Sequence, residues 1–397
     1  MNQTYNSPTH PGTAGHYAYI DCIRGYAVLL VITCHLTDAF PNLPYPVHRL
    51  TVIGWHGVQL FFIASAVTLL MSWHAEKNRK GKNDILAFFI RRFCRIAPAY
   101  YGAILLYLVV APPGPEFSWW RLLGCMTFLN DWHPSMATGV PNPWQAVPGA
   151  WSISAEFSFY VIFPILATIV TSLRRAAIMF LVTLLAAVTL NELGRRVFDE
   201  SYGSQTMVDF LYYWLPNQAP VFALGFIVFF LLNVFSEQRR WVNTARFRMS
   251  ALAAALGLYV GVTYLHAPMI FSYATVQPPA LLQASIGFVL LVLVASTSPS
   301  GYLVNRYIAA VGKVSFSAYL VHFAVIDAFS TAEWAAGFRD QRNYAAILAY
   351  GVGWIGVAAV TVGLSAISHH LVEKPGIAIG KKLIDMLRVN PAHPALT

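Results

Sequence analysis

The sequence predicts an all-α integral membrane protein that crosses the bilayer about ten times. Three observations carry that reading. Of 397 residues, 57% are apolar and only 11% are charged, against about a quarter charged in soluble domains. Apolar runs close to the roughly 20 residues needed to span a bilayer recur along the chain. Lys and Arg collect in alternate connections between those runs.

The runs fall at 19–40, 53–73, 96–112, 151–171, 177–194, 215–235, 249–266, 279–296, 314–333 and 344–369. An even number puts both termini on one side. Lys77, Arg79, Lys80, Lys82, Arg91, Arg92 and Arg95 crowd the connection 74–95. Arg174, Arg175, Arg239, Arg240, Arg246, Arg248, Arg306, Lys313, Lys374, Lys381, Lys382 and Arg388 fall on the same side. The other side holds Arg49, Arg121, Arg195, Arg196, Arg339 and Arg342. The bias assigns both termini to the cytoplasm. It also accounts for the net charge of +9 without a nucleic-acid partner, and no base-reading motif is present. Residues 1–18 are polar, rich in Pro, Thr and Gly, and lack a basic start, so they read as a flexible cytoplasmic tail and not a cleavable signal. Residues 19–376 form one transmembrane domain, and 377–397 a short cytoplasmic tail.

The long connection 112–150 is rich in Pro and carries Trp119, Trp120, Trp132 and Trp144. Such a segment suits an interfacial anchor, a lid or a sugar-stacking surface. Cys22, Cys34, Cys94 and Cys125 have no metal-ligand or disulfide spacing and read as packing residues. No internal repeat is visible, which disfavours the repeat-built transporters.

Ionisable groups inside the spans point to a site, because each one is costly in lipid. Asp21, Arg24 and His35 lie on the first span. The eleven-residue step from Arg24 to His35 returns to nearly the same helix face, about 16 Å further along the axis. His35 reads either as a histidine bonded between helices or as a general base. Glu156, expected at similar depth in the fourth span, would orient it, with Asp38 as rival partner. Arg92 and Arg95 share a face if helical and suit phosphate, or they are the ordinary basic flank of a span. Pro98 is expected in the first turn of the helix that follows. Tyr319 and His322 either line a tunnel or satisfy each other. His369, His370 and Glu373 mimic a zinc spacing but read as residues ending a helix; no metal is expected.

Several motifs together resemble one family. Asp21-Cys-Ile-Arg24-Gly followed by His35, Gly57-Val-Gln-Leu-Phe-Phe-Ile-Ala-Ser65, and Arg92-Phe-Cys-Arg95-Ile-Ala-Pro98 come first. Trp151-Ser-Ile-Ser-Ala-Glu156-Phe-Ser-Phe-Tyr160, Ser317-Ala-Tyr319-Leu-Val-His322 and Glu373-Lys-Pro375 complete the set. In this order they are similar to membrane-bound acyltransferase family 3, the O-antigen and exopolysaccharide O-acetyltransferases. The sequence departs at Gln59, an acidic position in that family, and at Ala66, where the family has glycine.

The resemblance implies transfer of an acyl group, most often acetyl, from cytoplasmic acyl-CoA to a sugar hydroxyl at a bacterial inner membrane. It implies His35 as base supported by Glu156, with Arg24, Arg92 and Arg95 binding the acyl-CoA. Asp21, Ser65, Tyr319 and His322 would line the substrate path. The competing reading is a multi-pass transporter or flippase for a polar solute or lipid-linked sugar, its intramembrane charges serving as a relay. A third is an acyltransferase for a non-sugar acceptor.

Overall fold

The computed structural model describes residues 18–81, 84–115, 117–137, 145–237, 244–264, 279–298 and 301–389. The expected tail 1–18 thus lies, but for Ala18, outside the described residues, as do 390–397. The helices in order are α1 (Ala18–Thr37), α2 (Tyr45–Val52), α3 (Gly57–Lys80), α4 (Ile85–Val110), α5 (Trp119–Met126) and α6 (Trp151–Ile169). Then come α7 (Leu173–Tyr202), α8 (Ser204–Tyr213), α9 (Leu215–Glu237), α10 (Ala245–Tyr264) and α11 (Pro279–Thr297). The last are α12 (Arg306–Lys313), α13 (Ser315–Thr331), α14 (Asn343–Ser368) and α15 (Lys374–Val389). No strand occurs among the described residues.

Seven helical stretches are long and apolar enough to cross a membrane, and the α12–α13 pair, bent by 78°, would make eight. About ten were expected. The expected runs 249–266 and 279–296 correspond to α10 and α11, which fall outside that set. α10 opens on Arg246 and Arg248 and is rich in Ala and Gly, and the described apolar part of α11, Leu281–Thr297, is short.

Two boundaries differ from expectation for clear local reasons. α4 begins at Ile85 because Asp84 caps it, its side chain accepting from the Ala87 amide at 2.9 Å. Arg91, Arg92 and Arg95 therefore ride on the same helix as the apolar run behind them, and Pro98 lies mid-helix. The backbone of α15 fits against this proline: a Cβ on Gly376 would fall 2.7 Å from the Cys94 carbonyl oxygen and 2.8 Å from Pro98 Cγ. The chain after Glu373 likewise continues as a helix rather than a plain tail, and Arg388 returns to Asp84 at 3.3 Å.

α1 is the centre of the bundle, packing against α3, α12, α13 and α14. The approach is close because small residues face it. A Cβ on Gly57 would sit 2.4 Å from the Ala27 carbonyl oxygen, and one on Gly312 only 1.7 Å from that of Asp21. Backbone-to-backbone packing of this kind is how helices gain contact where lipid removes the hydrophobic drive. From α14, Tyr350 Oη donates to the Thr33 carbonyl at 2.7 Å and Trp354 Nε1 to Thr33 Oγ1 at 2.9 Å. The N-terminus of α13 is closed by buried Glu373, which accepts from the Ser317 amide at 3.1 Å and from Ser317 Oγ. Glu373 belongs to a π-turn (His369–Glu373) that joins α14 to α15.

Gly312→Ala forces α12 away from α1. It should cost about 1–3 kcal/mol, the usual range for overpacking. Thermal unfolding in detergent should show a clear drop in midpoint, whereas Gly363→Ala, with open space around it, should melt as the parent does.

Candidate functional site

Two cavities lie in line along α1. The larger, about 830 Å³, opens beside the C-terminal half of α1 and the end of α4. His35 lines it with Trp55, Trp151, Tyr212, Tyr213 and Phe323. Trp55 stacks on Tyr212 with ring centroids 5.3 Å apart and planes 8° apart, and Trp151 meets Tyr213 at 4.6 Å. No Asp, Glu, Lys or Arg is among its described lining residues. Pro112, Pro115, Gln145, Pro148 and Gly149 form its rim, so both ends of the connection 112–150 border the cavity. Trp119 and Trp120 of the same connection are instead exposed, at 74% and 63%. Trp144 lies outside the described residues.

The smaller cavity, about 70 Å³, is lined by Arg24, Arg92, Arg95, Ser65, Glu156 and Tyr160 among others. Helix geometry explains the grouping. Arg92 and Arg95 are one turn apart on α4, and Ser152, Glu156 and Tyr160 repeat every four residues on α6. Ser65 Oγ and Tyr160 Oη both donate to Glu156 Oε1 at 2.5 Å. Arg24 donates to Thr68 Oγ1 at 3.2 Å. The Arg92 guanidinium lies over the Phe88 and Tyr160 rings at 5.7 and 6.0 Å, while its buried Nε has no partner among the described residues. By contrast the neighbouring Arg91 is tied to Glu76 at 2.7 Å. Asp21 is within electrostatic reach of Arg24, Arg95 and Lys313 but lines neither cavity.

Val58 and Tyr319 line both cavities and so divide them. Tyr319 Oη accepts from Ser152 Oγ at 2.8 Å and donates to the Gly149 carbonyl at 2.9 Å. Gly149 has φ of +75°, and a Cβ there would meet Tyr319 Oη at 2.9 Å. Glycine is the residue that fits both demands.

The structure keeps Glu156 and His35 apart. Glu156 belongs to the arginine cavity and His35 to the aromatic one, because α6 turns Glu156 toward Ser65 on α3 and the arginines. The rival Asp38 is exposed, with His48 within electrostatic reach. The ring neighbours of His35 are His322, at 5.4 Å between centroids, and Phe323, at 4.3 Å. His322 is buried next to Tyr319, its Nδ1 on the Tyr319 carbonyl at 2.6 Å. Gln59 is fully buried between α3 and α9, donating to Gln218 Oε1 at 3.1 Å, and lines neither cavity. His369 bonds Glu373 at 3.1 Å while His370 turns to the Ala366 carbonyl at 2.8 Å. Sequence reasoning had not assigned Ser152 and Tyr160, although their four-residue stride with Glu156 is visible. It missed Trp55, Trp151, Tyr212 and Tyr213, which converge only in three dimensions.

A family model for an acyltransferase domain matches residues 17–370. The chain belongs to this family. The acyltransferase is similar along its length to acyltransferase MdmB of Streptomyces mycarofaciens, 25% identical over an alignment of 375 residues, with 89% of each chain covered. It is 24% identical over 330 residues to O-acetyltransferase OatA of Staphylococcus aureus, which covers 77% of this chain and 50% of that protein. Peptidoglycan O-acetyltransferase OatA of Listeria monocytogenes is 26% identical over 164 residues, 36% of this chain and 23% of that protein. The chain thus spans half or less of these two O-acetyltransferases. No solved structure matches it. The family and the apolar helices together make it an integral membrane acyltransferase.

Glu156 shares its cavity with Arg24, Arg92 and Arg95 and accepts from both Ser65 and Tyr160, so its removal leaves two hydroxyls without their acceptor. Glu156→Ala should destabilise by about 2–3 kcal/mol, and Ser65→Ala by about 1 kcal/mol. Thermal unfolding of the two variants in one detergent checks the order.

Proposed function

We propose that this acyltransferase moves an acyl group, acetyl in the first instance, from acyl-CoA to a hydroxyl of a cell-surface or exopolysaccharide sugar. The observation that carries the reading is the pairing of two unlike cavities on one helix. One is cationic, with an unpartnered buried Arg92 Nε. The other is uncharged and aromatic, with His35 on its wall. An arginine cluster suits the phosphates of CoA. An aromatic chamber of about 830 Å³ is within the size range of small-molecule sites.

In this reading Arg24, Arg92 and Arg95 hold the donor's phosphates at the cytoplasmic end, and Glu156 with Ser65 and Tyr160 keeps that cluster intact. Glu156 is thereby a support for the donor pocket and not for the base. The thiol arm reaches across between Val58 and Tyr319 toward His35, part-way through a core of about 30 Å. His35 accepts the proton of the acceptor hydroxyl as its oxygen bonds the thioester carbon. It then returns that proton to the departing thiolate. Residues 19–376 make up the catalytic domain, with both termini cytoplasmic and the protein in a bacterial inner membrane. The O-acetyltransferase names of the relatives support the sugar acceptor. A non-sugar acceptor is the second reading. It is favoured by the end-to-end match to a relative whose name states no polymer, 89% of each chain, and by the charge-free cavity. A transporter has no use for a phosphate pocket, and the family membership argues against it.

Purified protein with radiolabelled acetyl-CoA and an acceptor extract tests the reaction. Label should enter a base-labile ester with wild type and fall by about 100-fold or more with His35→Ala. Equal transfer by the two proteins refutes the base. Tyr319→Phe removes the hydrogen bonds to Ser152 and Gly149 and loosens the division between the cavities. Acceptor-independent hydrolysis of acetyl-CoA should then rise relative to transfer, measured as free thiol released per ester formed.

A further inference from the structure

The base proposed above has no carboxylate partner among the described residues, which raises the question of what holds its tautomer. The answer offered by the geometry lies on α13. The His322 Nδ1 is 2.6 Å from the Tyr319 carbonyl oxygen. A carbonyl only accepts, so Nδ1 carries the ring proton and Nε2 is left with a lone pair. That Nε2 is buried and has no partner among the described residues, and the side chain is 0% exposed. An orphaned buried acceptor costs about 1–3 kcal/mol, so it calls for an explanation.

His35 is the adjacent polar ring. The two imidazole centroids are 5.4 Å apart. Two imidazoles joined edge to edge through one N–H···N bond have centroids about 5 Å apart, given a normal donor–acceptor distance. Phe323 packs on both, at 4.3 Å from His35 and 4.1 Å from His322, and so walls the pair from the side. Of the two histidines, His35 lines the aromatic cavity and His322 does not.

We infer that His322 is the positioning residue for His35: a small turn of the rings, whose centroids already stand 5.4 Å apart, lets the Nε2 that is unbonded in this structure accept the N–H of His35 and so directs the other, unprotonated nitrogen of His35 into the cavity. This rests on the reading of His35 as the base. The arrangement does the work of the carboxylate in a Ser-His-Asp triad with a neutral acceptor. A neutral partner suits this depth, where a carboxylate would be expensive. Proton bookkeeping is simple. When His35 takes the acceptor's proton it becomes an imidazolium whose second N–H is already bonded to His322, and it returns to neutral on protonating the thiolate. His322 keeps its own Nδ1 proton throughout.

The test compares His322→Phe, His322→Gln and His35→Ala in the labelled acetyl transfer assay, each variant checked by thermal unfolding. His322→Phe keeps a ring but has no acceptor. Its kcat should fall about 100-fold or more, by analogy with loss of the orienting group in a triad, with KM for acetyl-CoA unchanged. His322→Gln offers a carbonyl oxygen and should recover at least tenfold of that loss. A merely structural role predicts no such rescue. Wild-type kcat in His322→Phe, or equal loss in the Phe and Gln variants at wild-type stability, overturns the inference. Full activity in His35→Ala removes the base itself and the pair with it. Should His322→Phe fail to fold, 15N-histidine NMR of the wild-type protein decides: a single fixed tautomer at both rings supports the pair, and tautomer exchange at His35 overturns it.

Discussion

Three guanidinium groups held inside an apolar bundle are the constraint on which the rest of the structure depends. Arg24, Arg92 and Arg95 come from two helices and meet in one narrow cavity. Charges at this depth must face the interior and find compensation. Glu156 supplies part of it, and is itself held by Ser65 and Tyr160. The aromatic rings of Phe88 and Tyr160 supply more to Arg92. This cluster ties α1, α3, α4 and α6 together. It also explains why α1 is packed so tightly, since the helix that carries Arg24 can shift little without exposing it. Gly57 and Gly312 permit that tightness.

The same constraint separates two kinds of chemistry along one helix. The face of α1 that begins with Arg24 ends with His35, and the cavity around His35 is free of charged side chains among its described lining. Tyr319 stands between, fastened to Ser152 and Gly149. A polyanion is suited to one side and a neutral, ring-faced molecule to the other. In the proposed reaction, this division keeps the thioester from bulk water until an acceptor hydroxyl is beside His35.

Much of this was legible in the sequence. The helical periodicity put Arg24 and His35 on one face, and the three-residue step put Arg92 with Arg95. Both follow from spacing within a single helix, which the chain carries locally. The partnership of Glu156 with His35 rests on equal depth and on the family resemblance, and neither fixes which way a helix is turned. The four-residue stride of Ser152, Glu156 and Tyr160 held the better clue, because it aims Glu156 at a tyrosine on its own helix. The aromatic wall was illegible: Trp55 and Tyr212 are far apart in the chain and meet only where the turn just before α3 packs against the end of α8. The start of α4 was placed too late because its arginines looked like a loop, whereas Asp84 already caps a helix there.

The central claim is that donor binding and base are physically separate functions of one bundle. The most direct measurement is the dissociation constant of acetyl-CoA, by titration calorimetry, for wild type, His35→Ala and Arg92→Ala proteins in the same detergent. The account predicts an unchanged constant for His35→Ala and one weakened about tenfold or more for Arg92→Ala, as expected for loss of a charge-assisted phosphate contact. Wild-type binding by Arg92→Ala, or equal weakening in both variants, would contradict it.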